Sequence, residues 1–304
     1  VTYYREPCRL RRAFFAVLIV TLALPVWLWA DERDLLSEAD RRMRAGNYAL
    51  ALEVYDALLN RYPNSELIAD VQYGRGVSLY HLGRYDDALS TFDLIAHRYR
   101  LAGFLEEIPY WTGITHYKLG GFEAAALDLR EFVRSGAAPE RRSQALLYQA
   151  LAELHAGRLV ESQEPLVQLI LGREEMMDAT TTYAAVLLSH NYLISGQYER
   201  LVSFASGLPT SAYPPRRRDQ ILFYYAEALW ELKQVEVAET IYGQLVAAEP
   251  EIAAAAHRRL FAAARRGGDI SAMQRWTRSA EIRFAASPAI LADLWLRMGI
   301  ENYD

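Results

Sequence analysis

Cysteine is almost absent. The 304-residue chain has one, Cys8, so neither an internal disulfide nor a cysteine-built zinc site can form. Proline and glycine are scarce, at 11 and 17, and no tract is of low complexity, which leaves no long flexible linker. A basic excess is also missing. The formal charge is −5, whereas a dedicated nucleic-acid binder shows a basic stripe. No GxxxxGK[ST] loop, strand-borne GxGxxG, GxSxG elbow or HExxH pair occurs, so the usual sequence carriers of phosphate, dinucleotide, acyl-transfer and zinc chemistry are lacking. His81, His97, His116, His155, His190 and His257 fall one per expected helix and read as surface or groove side chains. Acidic pairs such as Glu106–Glu107 and Glu174–Glu175 stand near helix starts, where the helix dipole favours them. Nothing places a nucleophile, base or metal; the expectation is no enzyme and no cofactor. What is present, 52% hydrophobic and 23% charged residues, belongs to a folded chain.

The N-terminus carries a localising pattern. Residues 1–12, "VTYYREPCRLRR", hold four arginines and one glutamate; residues 13–30, "AFFAVLIVTLALPVWLWA", hold no charge; "DERD" follows. A basic head, an apolar run and an acidic flank form an export signal with the positive end inside. Eighteen residues at about 1.5 Å each give roughly 27 Å, close to a hydrocarbon core of about 30 Å. Ala30 suits the last position before cleavage, but Leu28 and Trp29 are bulky there, and Trp27 and Trp29 suit a membrane interface. The segment is a signal peptide or an uncleaved anchor, with the balance toward an anchor. Residues 31–304 are expected outside the cytoplasm.

Four glycines, Gly46, Gly83, Gly120 and Gly157, stand 37 residues apart. The stretches "GNYALALEVYDALLNRYP", "GRYDDALSTFDLIAHRYR", "GGFEAAALDLREFVRSGA" and "GRLVESQEPLVQLILGRE" align on them without gaps. Two places after each glycine come Tyr48, Tyr85, Phe122 and Leu159; five after, Ala51, Ala88, Ala125 and Ser162; nine after, Tyr55, Phe92, Leu129 and Leu166. Seven before stand Ala39, Gly76, Gly113 and Ala150. The pattern continues from Gly196, from Lys233 and, registered less tightly, from Gly268, making about seven units between residues 32 and 286. Apolar residues at these intervals lie on one stripe of a helix. Each glycine ends the preceding helix in a left-handed cap, and the small residues let the two helices of a unit approach closely. Such hairpins cannot bury their faces alone and must stack.

The series in unit one (Ala39, Gly46, Tyr48, Ala51, Tyr55, Pro63) resembles the tetratricopeptide repeat. Units one and two match it well, three and six moderately, four, five and seven loosely. The stretch from Leu58 to Arg100 also looks like the repeats of bacterial periplasmic members, including the outer-membrane-assembly lipoprotein and the Tol–Pal coordinator. The resemblance implies that the first helix of each unit lines a concave groove. Its groove positions correspond to Asp70, Tyr73 and Tyr80; Glu107, Tyr110 and Tyr117; Tyr183 and His190; Phe223, Glu227 and Trp230. An aromatic lining with scattered acids could hold an extended or helical peptide, and the same tyrosines could instead simply pack against the next unit. Chaperone-type members clamp a carboxylate with Lys and Asn; the matching places here hold Arg33, Ser37, Asp40, Asp70, Gly74 and Val77, so that clamp is missing.

The expected fold is all-α: a right-handed α-solenoid of about seven such repeats over residues 31–286, after a signal or anchor at 1–30 and before a capping helix and tail at 287–304. "PPRRRD" (214–219) is expected as an exposed loop between units five and six. The function expected is a non-enzymatic interaction scaffold at the cell envelope, binding a protein or peptide partner through Tyr73, Tyr80, Tyr110, Tyr117, Tyr183, Phe223 and Trp230. No cofactor, metal or nucleic acid is expected, and membrane contact would run through residues 13–30 if uncleaved. The alternative is an accessory part of a peptidoglycan- or polysaccharide-processing enzyme system.

Overall fold

The computed structural model describes residues 31–99, 103–171 and 178–299. The expected signal or anchor at 1–30, and the pair Glu174–Glu175, lie outside the described residues. Among those described there are fifteen α-helices and no strand, and no helix is long and apolar enough to cross a membrane. The chain divides into two compact units, Val1–Gly121 and Phe122–Asp304.

The first unit contains α1 (Glu32–Arg44), α2 (Tyr48–Arg61), α3 (Ile68–His81), α4 (Tyr85–Arg98) and α5 (Ile108–Leu119). Asp31 starts α1 by accepting the backbone N–H groups of Arg33 and Asp34 at 2.8 and 3.0 Å, which satisfies donors that a helix start leaves open. Each helix packs on the next, and α1 also reaches α3, so consecutive hairpins share one core. Leu35, Ala39, Ala51, Val54, Tyr55, Leu58 and Val71 form its first layer.

The second unit contains α6 (Phe122–Ser135), α7 (Arg142–His155), α8 (Gln163–Leu171), α9 (Ala179–Ile194), α10 (Tyr198–Ser206), α11 (Pro215–Glu231), α12 (Val235–Leu245), α13 (Pro250–Arg266), α14 (Ile270–Arg283) and α15 (Pro288–Met298). Here too each first helix meets its partner and the next first helix, as in α7 with α9, α9 with α11 and α11 with α13. In the region expected to cap the array, α15 sets Leu294 and Met298 against Ala253 and Phe261 of α13.

One turn recurs throughout, and it explains the 37-residue spacing. Gly46, Gly83, Gly120, Gly157, Gly196 and Gly268 all have φ between 67° and 81°. At the first of them, Gly46 N–H bonds Met43 C=O and Asn47 N–H bonds Arg42 C=O, at 3.0 and 2.9 Å. That is the paired bond set of a Schellman cap, which needs a left-handed residue at its centre. The sixth repeat places Lys233 there at φ 63°, a conformation disfavoured for any residue with a Cβ. The small residues behave as the spacing requires: Ala39, Ala51, Ala88, Ala125, Ala150 and Ser162 are fully buried.

Three expectations are corrected. The second helix of six repeats starts two residues after the turn, but α8 starts at Gln163, six after Gly157. Pro165, which has no N–H and clashes with a preceding turn, falls within its first turn. "PPRRRD" is no loop: Pro214 is the N-cap and Pro215 the first residue of α11, because proline is preorganised for a helix start. Finally, His257 is neither surface nor groove; it is fully buried.

Candidate functional site

In the first unit the expected partner-binding residues sit on α3 and α5, with Glu107 in a single 3-10 turn, Leu105–Glu107, just before α5. Tyr73 ties the two helices together. Its hydroxyl donates to Glu107 Oε2 at 2.8 Å and accepts from Trp111 Nε1 at 2.9 Å, while its ring packs on Phe104 at 4.6 Å between centroids. The half-buried Tyr80 lies edge-on to Trp111 at 5.6 Å. Tyr117 is half-buried on the last turn of α5, and Tyr110, on its first, is buried to 3% exposure. Asp70 borders solvent at the start of α3; partial desolvation, and after it the carboxylate of Asp40, push its pKa above the usual range. The stripe thus joins aromatic faces to two carboxylates, one of them fixed by a phenol.

In the second unit the residues sit on α9 and α11. Arg217 lies over the ring of Tyr183 at 4.7 Å, and the ring of His190 packs on Tyr224 at 5.2 Å. Desolvation holds His190 below its ordinary pKa. Phe223 is half-buried. Trp230 is not: it is 3% exposed and flanked by the guanidinium groups of Arg259 and Arg266 at 4.9 and 4.6 Å. Glu227 is engaged as well, accepting Tyr242 Oη at 2.6 Å and both Nε and Nη2 of Arg259. Burial, then the charge of Glu227, push the Tyr242 phenol upward, so it donates rather than ionises.

The expected residues therefore fall into two kinds. Tyr73, Tyr80, Tyr117, Tyr183 and Phe223 keep part of their surface open; Tyr110 and Trp230 are enclosed. Sequence reasoning missed Trp111 and Arg259, which order the two sets. Both stand nine residues before their unit's turn glycine, as Gly74 does, and comparing that column across units would have exposed them.

A separate cleft of about 270 Å³ lies in the second unit, lined by Arg130, Arg134, Gln149, Glu161, Glu164 and neighbours. Behind it the fully buried Glu153 is held by Arg130 and by Arg158, the latter at 3.4 Å. None of the expected binding residues reaches this cleft. Among the described residues no three His, Cys, Asp or Glu side chains gather as metal ligands would.

This arrangement of hairpins matches known proteins. The family model of the tetratricopeptide repeat matches residues 36–102 and 112–171. The chain carries tetratricopeptide repeats there, and its helices follow the same repeat arrangement to the C-terminal unit. The C-terminal part of a TPR repeat-containing protein from Cytophaga hutchinsonii superimposes with a TM-score of 0.62 at 16% identity, covering 85% of this chain and 98% of that one. The structure of Naa15/Naa10 bound to HypK-THB gives a TM-score of 0.52 at 13% identity, covering 90% of this chain and 44% of that one. At these identities the likeness concerns the fold. Among curated proteins, none matches the sequence.

Proposed function

We propose that this chain is a non-enzymatic protein–protein interaction scaffold exported to the cell envelope, anchored in the inner membrane through residues 13–30. It engages a protein or peptide partner through the faces of its first helices. The observation that carries the reading is the set of part-exposed aromatic rings on these helices beside a fixed acid: Tyr73 bonded to Glu107 just before α5, and Tyr80 and Tyr117 on the same two helices. Rigid rings give a partner contact area at low entropic cost, and hairpin repeats present them on packed helices rather than on loops. The tetratricopeptide match supports partner binding as the use of the fold, and the similar Naa15/Naa10 structure is itself a complex. The arginine-rich head and the uncharged run after it support export.

Two experiments test this. Alkaline phosphatase fused after Asp304 should be active in cells and a cytoplasm-only reporter inactive; the reverse defeats the localisation. Photo-crosslinkers placed at Tyr80 and Tyr117 should trap one discrete partner from intact cells, and crosslinkers at the exposed Leu127 should not. Equal yields from all three positions would remove the first helices as the binding face.

A further inference from the structure

Several arginines of this chain form ion pairs. Arg41 and Arg42 hold Glu38, Arg75 holds Asp56, Arg84 holds Asp87, and Arg297 holds Asp293. Three on α14 form none and stand together. On α14, Arg275 donates only to Ser271 Oγ at 3.2 Å and Arg283 only to the Ala248 carbonyl at 2.8 Å. Arg278 has neither ion pair nor hydrogen bond among the described residues. None of the three guanidinium groups makes a direct ion pair; Asp269 reaches Arg275 only through Ser271, whose hydroxyl accepts from the arginine and donates to the carboxylate.

They also surround a recess. A shallow hollow of about 530 Å³ opens between the end of α12 and the outer face of α14, lined by Val246, Ala247, Arg275, Arg278, Ile282 and Arg283. Arg275, Arg278 and Ile282 recur at helical spacing and so share one stripe. Ile282 is 72% exposed, an apolar side chain that solvent alone does not favour.

We propose that this hollow is a docking site for an acidic peptide segment of a partner protein, one carrying an apolar side chain between its carboxylates. Charge complementarity chooses the occupant. Guanidinium groups present planar pairs of donors that fit carboxylates two at a time, and the apolar wall formed by Val246, Ala247 and Ile282 offers burial to one side chain between them. The site lies on second helices, apart from the first-helix residues, and does not depend on their role.

The test uses the full chain and a fluorescein-labelled Glu-Glu-Leu-Leu-Glu-Glu peptide, followed by fluorescence anisotropy. Saturable binding is expected, weakening as salt rises. The double variant R275E/R278E should weaken it by about tenfold or more, with circular dichroism and melting unchanged because both side chains are exposed. Ile282→Ser should weaken it by roughly threefold, and Tyr117→Ala should leave it unchanged. A Gln-Gln-Leu-Leu-Gln-Gln peptide should fail to compete. The proposal is overturned if binding does not saturate, if the double variant binds as the parent does, or if the glutamine peptide competes equally. It is also overturned if phosphatidylglycerol vesicles bind through these arginines while the peptide does not, or if the double variant abolishes self-association of the chain instead.

Discussion

Gly74 lies against the ring of Tyr55. A Cβ added at Gly74 would come 2.7 Å from Tyr55 Cε1 and closer still to its Cζ and hydroxyl oxygen. Tyr55 cannot swing aside, because it is fully buried and its hydroxyl donates to Asp40 at 2.6 Å. The two residues stand nine before and nine after successive turn glycines, and the same columns meet elsewhere: Trp111 stacks on Phe92 at 6.1 Å, and Arg259 shares Glu227 with Tyr242. At this crossing it is the glycine that admits the tyrosine.

Gly74→Ala should therefore destabilise the first unit by about 1–3 kcal/mol through overpacking. Thermal melting reads this directly. A companion change, Tyr55→Phe with Gly74→Ala, should recover little, because the ring itself blocks the new methyl group. Melting of Gly74→Ala at the parental temperature would contradict the contact.

Lys233 occupies a turn position that six other repeats give to glycine. Relief of the left-handed strain, roughly 1–2 kcal/mol, exceeds the entropic penalty of a new glycine, roughly 0.5–1 kcal/mol. Lys233→Gly should thus stabilise by about 0.5–1 kcal/mol, read as a higher denaturant midpoint with unchanged slope. A lower midpoint would show that the lysine side chain compensates in some other way.

The turn glycines illustrate what the sequence makes legible. A left-handed cap tolerates few residues, so its recurrence marks hairpin number and helix starts openly, and the small residues beside it follow by simple spacing. Pro165 delays α8 and the two prolines begin α11, both from local chemistry that a repeat alignment smooths over. The enclosure of Tyr110 and Trp230 was not legible, since it depends on which neighbour arrives nine residues before the next turn. His257 was missed for a related reason: only the packed structure brings Ser279, Trp276 and Phe284 around it.

That histidine predicts a pH dependence. Its Nδ1 bonds the Ala253 carbonyl at 2.8 Å and its Nε2 meets Ser279 Oγ at 3.0 Å. Burial holds its pKa below the ordinary 6.5; the Ala253 bond opposes this and the charge of Arg283 adds to it. The unfolded chain then takes up a proton near pH 6.5 that the folded chain accepts only at lower pH. Stability should be full above about pH 6.5 and fall as pH drops from there toward the folded-state value. Urea unfolding across pH 5–8 should show this slope in the parent and a flatter one in His257→Gln. Identical slopes would remove His257 as the cause.

Glu153 is wholly buried, and its two arginine partners are about one-third exposed. Arg130→Ala leaves one partner, itself part-exposed, so the cost should be about 1–3 kcal/mol rather than the larger loss of a fully orphaned charge. Removing Arg158 as well should cost more than the two single losses combined, since each covers for the other. Strict additivity in a double-mutant cycle would mean that the two do not share the carboxylate.

The most direct test of partner binding by the first helices is Tyr117→Ala, measured for melting and for capture of the native partner at a temperature where the variant stays folded. Truncating an anchor ring should lower binding by about 2 kcal/mol, roughly thirtyfold in affinity, while the melting temperature moves little. Lost stability with unchanged capture would contradict the account and make Tyr117 a packing residue.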